Sequence, residues 1–168
     1  MRHVISAVVR NQVGVLSHVA GLFSARGYNI DSVNVGETED PAASRMTIVL
    51  DGDDAIIEQV VKQLRKLISV LKVQELSQGQ FVERDLMLIK VATPPGRRGE
   101  VIDLVDVFRG KVVDISHKDM VIELSGPEAK INAFINLCRP YGIRETVRSG
   151  RIAMFRGTQE DDGKRTDG

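Results

Sequence analysis

The residue pattern predicts an α+β protein built from two βαββαβ units in tandem. Three observations lead there. The 168 residues include 22 Val and 14 Ile, while Trp is absent and aromatics reach only 4%. Stiff β-branched side chains in that proportion suit a sheet with an aliphatic core. Apolar residues alternate between strand-like and helix-like spacing in the order strand, helix, strand, strand, helix, strand, and that order recurs in the second half. A chain of this length buries about two-thirds of the surface that its unfolded form exposes, enough for two small cores.

The elements follow in order. Residues 3–9 (HVISAVV) read as a strand that runs into the turn Arg10-Asn11-Gln12-Val13-Gly14. Val15, Leu16, Val19, Leu22 and Phe23 then fall at helical spacing, with Gly27 at the expected C-terminus. A strand at 30–37 (IDSVNVGE) sets Ile30, Ser32 and Asn34 against Asp31, Val33 and Val35, an imperfect alternation. The loop Glu39-Asp40-Pro41 leads to a strand at 45–52. Ile57, Val60, Val61, Leu64, Leu67 and Ile68 mark a second amphipathic helix, and a fourth strand is expected at 70–76. This is the ferredoxin-like split arrangement, two helices on one face of an antiparallel sheet. The other face must meet water, another sheet or a second protomer.

The second half repeats the order: a strand at 85–93, the turn Pro94-Pro95-Gly96-Arg97-Arg98-Gly99, and a helix carrying Val101, Leu104, Val105 and Phe108 that Gly110 ends. Strands are expected at 111–116 and 120–124 around His117-Lys118-Asp119, then a helix with Ile131, Phe134, Ile135 and Cys138, then a closing strand within 143–155. Phe23-Ser24-Ala25-Arg26-Gly27 and Phe108-Arg109-Gly110 are a weak echo of one helix ending in the other. The polar stretch Ser77-Gln78-Gly79-Gln80 divides the chain into units at 1–77 and 78–157, and residues 158–168, without an apolar side chain, are expected to be a disordered tail.

Composition narrows the function. Lys plus Arg and Asp plus Glu are both 23, so the formal net charge is zero. That balance argues against a nucleic-acid footprint or a polybasic membrane anchor. A single cysteine, Cys138, allows neither an intrachain disulfide framework nor a four-cysteine zinc site. No apolar run approaches the roughly 18 residues of a membrane span, and no secretory h-region precedes the first strand. A soluble, cytoplasmic protein is expected.

One constellation could carry chemistry. Asn11, Gln12, Val13 and Gly14 lie where the first strand hands over to the first helix. Backbone N–H groups at a helix start can hold a carboxylate, aided by the positive end of the dipole. Gly14 permits close approach of a ligand or an unusual dihedral, Asn11 can read a zwitterionic head group, and Asn29 opens the next strand. The same residues serve equally as turn formers, and the pattern leaves both readings open. Arg10 with Asn11 also suggests an acylphosphatase-like loop, but a single glycine makes a thin phosphate cradle. His3, His18 and His117 share no ligand spacing, and His18 is expected on the exposed side of its helix. Asp51-Gly52-Asp53-Asp54 reads as a turn with a helix N-cap, Cys138 as a buried structural thiol, and Gly96-Arg97-Arg98-Gly99 as a turn with exposed arginines. No self-sufficient active site emerges.

The block Asn11-Gln12-Val13-Gly14-Val15-Leu16-Ser17, followed by Gly21-Leu22-Phe23-Ser24-Ala25-Arg26-Gly27-Tyr28-Asn29-Ile30, strongly resembles the small regulatory subunit family of acetohydroxyacid synthase, also called acetolactate synthase. Ser44-Arg45-Met46-Thr47-Ile48, Gln63-Leu64-Arg65-Lys66-Leu67, Val82-Glu83-Arg84-Asp85-Leu86-Met87-Leu88, Phe108-Arg109-Gly110 and Arg148-Ser149-Gly150 extend the match over residues 2 to about 157. The resemblance implies an N-terminal ACT domain, a small-molecule sensing module, followed by an ACT-like domain tied to activation and assembly. It further implies a homodimer through the ACT domains, with effector sites between the first strand–helix loop of one protomer and the second-strand region of the other. The implied effector is valine, with leucine or isoleucine as further candidates. Carried onto this chain, the implied effector residues are Asn11, Gln12, Val13, Gly14, Val15 and Leu16 of the loop and helix start, with Asn29, Ile30, Val33 and Val35 from the facing protomer. Val13 departs from the proline or small polar residue common in the family, and His18 from its frequent arginine; a bulkier loop residue bears on pocket shape and effector preference. The implied partner is the large catalytic subunit, which carries thiamine diphosphate and magnesium, with FAD as a further candidate. This chain is expected to hold no cofactor, no metal and no catalytic site of its own, and to activate that transferase and confer valine feedback on it. A free-standing ACT-domain amino-acid sensor acting on another target is the competing expectation.

Overall fold

The computed structural model describes residues 1–157; the tail expected at 158–168 lies outside the described residues. The first unit runs β1 (Arg2–Arg10), α1 (Val15–Ala25), β2 (Ser32–Glu37), β3 (Ala43–Asp51), α2 (Asp54–Arg65) and β4 (Val70–Glu75). The second runs β5 (Phe81–Ala92), α3 (Arg98–Val107), β6 (Lys111–Ile115), β7 (Asp119–Gly126), α4 (Glu128–Cys138), β8 (Ile143–Arg148) and β9 (Ile152–Phe155). The sheet orders are β2-β3-β1-β4 and β6-β7-β5-β8, all pairs antiparallel. Two tandem βαββαβ-like units are thus present.

Each sheet buries one face under its two helices. In the first, Ile5, Ala7 and Val9 lie opposite Ile48, Met46 and Ser44, and the apolar members meet Val15, Val19 and Phe23 of α1 and Ile57, Val60 and Leu64 of α2. Those helical residues recur every three or four positions, so one stripe of each helix is dry, and each fully buried aliphatic side chain contributes about 2 kcal/mol. In the second unit, Met87, Ile89 and Val91 pack with Ile122, Leu124, Ile131 and Phe134 in the same manner.

The structure departs from the expected elements in four places. The α2 helix stops at Arg65, and Ile68, expected on its apolar face, is exposed beyond its end. The closing strand is two strands, because Gly150, at φ +82°, breaks it after Arg148. The endings of α1 and α3 use their glycines differently. Gly27 (φ +68°) takes the left-handed position after α1, with Gly27 N–H bonding Ser24 O at 3.1 Å and Tyr28 N–H bonding Phe23 O at 3.0 Å. After α3 the left-handed residue is Arg109 (φ +57°), and Gly110 follows it, where a Cβ would meet the Glu123 carbonyl at 3.1 Å. Both are Schellman-type ends; the echo in sequence is one residue out of register in geometry.

The fourth departure concerns the open face of the first sheet. The β5 strand is longer than expected, and its leading residues Phe81–Arg84 pair with Phe155–Ile152 of β9 into a two-stranded arm. Phe81, Phe155 and Ala153 of that arm pack on Val4, Val49 and Leu76 of the first unit. A second sheet therefore covers part of that face. The Ser149–Gly150 turn also seats on β2: a Cβ on Gly150 would lie 3.4 Å from that of Ser32, and Asn34 Nδ2 donates to Ser149 O at 3.3 Å. This contact explains the imperfect alternation of β2. Its polar side chains meet the second unit, while Val33 and Val35 lie on the helix side of an edge strand, 41% and 45% exposed.

Candidate functional site

The strand-to-helix loop is fixed by its own backbone. Asn11 N–H bonds Ala42 O at 2.8 Å, its Nδ2 donates to Pro41 O at 3.0 Å, and Gln12 N–H bonds Arg10 O at 3.0 Å. The loop thereby leans on the connection between β2 and β3. Gly14 at φ +87° precedes α1 with open space where its side chain would stand, and its carbonyl accepts the first helical bond, from His18 N–H at 3.0 Å. Val13 projects fully into solvent. A depression of about 340 Å³ beside the loop is lined by Arg10, Asn11, Gln12, Asp40 and Leu71.

The start of α1 differs from the other three α-helices. Asp53 caps α2, accepting from Ile56 N–H at 2.8 Å, while Glu100 and Glu128 stand in the first turns of α3 and α4. The α1 helix has neither a capping side chain nor an acidic residue in its first turn. Its leading N–H groups and the positive end of its dipole face outward without a negative partner from the described residues.

The implied effector residues separate into two groups within one protomer. Arg10 pairs with Ala43 at one end of β3, whereas Ser32, just after Asn29 and Ile30, pairs with Val49 near the other. The loop and Asn29 therefore stand at opposite ends of α1, an 11-residue helix about 16 Å long. Val15 is buried in the first core and Ile30 packs against it, so Val15 can offer a ligand only its backbone. Leu16, Val33 and Val35 leave their side chains exposed. Asn29 Nδ2 donates to Asp31 Oδ1 at 3.1 Å, a bond that organises the start of β2.

The remaining candidates are accounted for locally. Cys138 is buried, and burial pushes its thiol up to about 11. His18 is exposed and His3 is buried, with its Nδ1 2.8 Å from Glu75. Arg97 donates to Glu100 and lies 4.5 Å over the Tyr141 ring, whose hydroxyl also donates to Glu100. Those two hydrogen bonds hold the Glu100 carboxyl below its usual range, Arg97 contributing the larger share. Among the described residues no three His, Cys, Asp or Glu side chains come together as a metal site, and no helix is long and apolar enough to cross a membrane.

A charged cluster between the units had no counterpart in the sequence reading. Arg2, Asp31, Glu128 and Arg151 surround a cleft of about 350 Å³ together with Asp85 and Arg148. Only the approach of β1 to α4 and β9 brings them together; no spacing in the chain announces it.

Comparison with known proteins accounts for both halves. Residues 5–72 match the family described as the AHAS small subunit-like ACT domain, and residues 84–157 match the small subunit of acetolactate synthase. Over 160 residues the chain is 51% identical to a probable acetolactate synthase small subunit of Archaeoglobus fulgidus, covering 95% of this chain and 100% of that protein. The chain belongs to the acetolactate synthase small subunit family. An acetolactate synthase small subunit of Aquifex aeolicus is 53% identical over 156 residues, 92% of this chain and 81% of that one. The crystal structure of the small subunit from Thermotoga maritima superposes with a TM-score of 0.85 at 42% identity, over 94% of this chain and 99% of that chain. As a small subunit, the protein is a regulatory component, and its membership implies a large catalytic subunit as partner.

Proposed function

We propose that this small subunit raises the activity of its catalytic partner and makes it sensitive to valine through effector sites built at a homodimer interface. Residues 1–77 form the sensing and dimerising unit, and 78–157 the unit that bears on activation and assembly. The reading rests on the start of α1, which no side chain caps and where, unlike in α2, α3 and α4, no acidic residue stands in the first turn. An amino-acid carboxylate meets the free N–H groups there, Gly14 lets it approach, and Asn11 addresses the ammonium or carboxylate. Because Asn29 stands about 16 Å away on the same chain, a second protomer has to supply it, together with Ile30, Val33 and Val35, to enclose the aliphatic side chain. Thiamine diphosphate and magnesium belong to the catalytic subunit, where the cofactor stabilises the carbanion that condenses with a second 2-oxo acid. Regulation is then a coupling between sites on two chains, reciprocal for binding. Size selection by an aliphatic pocket is worth about 1–3 kcal/mol per methylene, so leucine and isoleucine compete with valine at some level.

The test is acetolactate formation by the cognate catalytic subunit, with and without this chain, across a valine titration. Stimulation followed by inhibition supports the reading, and Asn11→Ala or Gly14→Ala is expected to raise the inhibitory valine concentration about tenfold or more while stimulation persists. Stimulation without inhibition would remove valine from the proposal. No stimulation by a folded pair would leave an amino-acid sensor for another target.

A further inference from the structure

The charged cluster between the units begins at a residue of the proposed effector site. Asn29 Nδ2 donates to one oxygen of Asp31 at 3.1 Å, and the other oxygen of Asp31 faces Arg2 Nε at 3.4 Å. The Nη1 of Arg2 pairs with Glu128, and the second oxygen of Glu128 pairs with Arg151. Arg151 Nη1 bonds Glu83 at 3.1 Å, and Glu83 also accepts the backbone N–H of Glu128 at 3.4 Å. Every step is a direct contact, and the series crosses from the start of β2 to the first residue of α4, β5 and the segment before β9.

Three physical features make this series able to transmit a change. First, Asp31 is a shared acceptor. An effector that recruits the Asn29 amide alters what the Asp31 carboxylate has left for Arg2. Second, Arg2 divides itself between Asp31 and Glu128, so a weaker hold by the first strengthens the second. Third, the far end is sheltered. The Arg151 side chain is 9% exposed and those of Glu83 and Glu128 are 19%, so salt and water screen these pairs less than surface pairs. Glu128 opens α4, which carries Ile131, Phe134 and Cys138 into the second core, so a pull on Glu128 acts on that core. A separate contact between the units, Ala153, Phe81 and Phe155 on Val4, Val49 and Leu76, is apolar and holds them together whatever Asn29 does.

We propose that Arg2, Asp31, Glu128 and Arg151 are the positioning residues that carry effector occupancy at Asn29 into the second unit. The inference rests on the reading of Asn29 as an effector residue. Without the link the dimer still binds valine and still stimulates the catalytic subunit, but binding no longer reports to the partner.

The experiment compares wild type with Arg2→Gln, Arg2→Lys and Glu128→Gln in two assays: valine binding to the small subunit by calorimetry, and valine inhibition of the reconstituted holoenzyme. For Arg2→Gln and Glu128→Gln the valine Kd and the stimulation without valine stay within about twofold of wild type. The inhibitory valine concentration rises by about tenfold or the maximal inhibition collapses, and Arg2→Lys, which keeps the charge, recovers part of it. An inhibition curve for Arg2→Gln that overlays wild type overturns the proposal. So does loss of valine binding, which would make these residues part of the site itself, and so does parallel loss of stimulation and inhibition, which would make them structural. If wild type binds no valine, the effector-site reading fails first and takes the link with it.

Discussion

Arg109 holds a left-handed backbone conformation at φ +57° where the equivalent position after α1 is Gly27. A non-glycine residue there costs about 1 kcal/mol. Arg109→Gly is therefore expected to raise stability by about that amount in a urea titration, whereas Gly110→Ala lowers it, since the added methyl meets the Glu123 carbonyl at 3.1 Å. Cys138 gives a second test at this scale. Its thiol is held at about 11, above the ordinary 9.0, by burial. The native protein therefore keeps the proton at pH 8, and alkylation by iodoacetamide is expected to be about a hundredfold slower than in urea. The unfolded chain ionises first, so the stabilisation present below pH 9 is lost as pH rises from 9 to about 11. The residue pattern made Asp53 readable as a cap and Cys138 as core because both depend on near neighbours. It could not separate Gly27 from Gly110, since a left-handed position is decided by where the next strand begins.

At the scale of elements, the β5–β9 arm is the least expected feature and bears the most on the first sheet. Truncation after Arg151 removes β9, uncovers Phe81 and opens the Val4, Val49 and Leu76 surface to water. Such a chain is expected to melt earlier and bind a hydrophobic dye while far-UV dichroism stays near wild type; unchanged melting would mean that the arm adds nothing to stability. The strand itself was legible from Ile152, Ala153, Met154 and Phe155 as part of a closing segment. Its break at Gly150 was not, because the turn is imposed by close packing on Ser32 of another unit. The β2 strand shows the same limit. Its alternation looked irregular only because the face that contacts the second unit carries Ser32 and Asn34.

For the whole molecule, Arg151 ties α4, β5 and β9 beside the first unit. Removing it leaves Glu83 and Glu128 sheltered and facing each other without their shared cation. Arg151→Ala is expected to cost about 3 kcal/mol, measured as a fall in the urea midpoint, against less than about 1 kcal/mol for the exposed pair partner Lys62→Ala on α2. Equal small losses would show that the cluster between the units adds nothing to stability. The candidate effector residues read differently at this scale. Asn11 and Asn29 are both readable in sequence, yet one chain holds them at opposite ends of α1, and for that reason the proposed site calls on a second protomer.

The sequence by itself determined the class of each element, the repeat of βαββαβ order, the two aliphatic cores and the family, because these depend on periodicity and on contiguous blocks of residues. Tertiary structure alone decided how the two units meet: the arm on the open face, the turn seated on β2, and the cluster of Arg2, Asp31, Glu128 and Arg151. Charges 29, 97 and 23 positions apart in the chain, from 2 to 31, 31 to 128 and 128 to 151, leave no periodic trace. Their pairing follows only once the sheets have fixed where β1 and α4 begin.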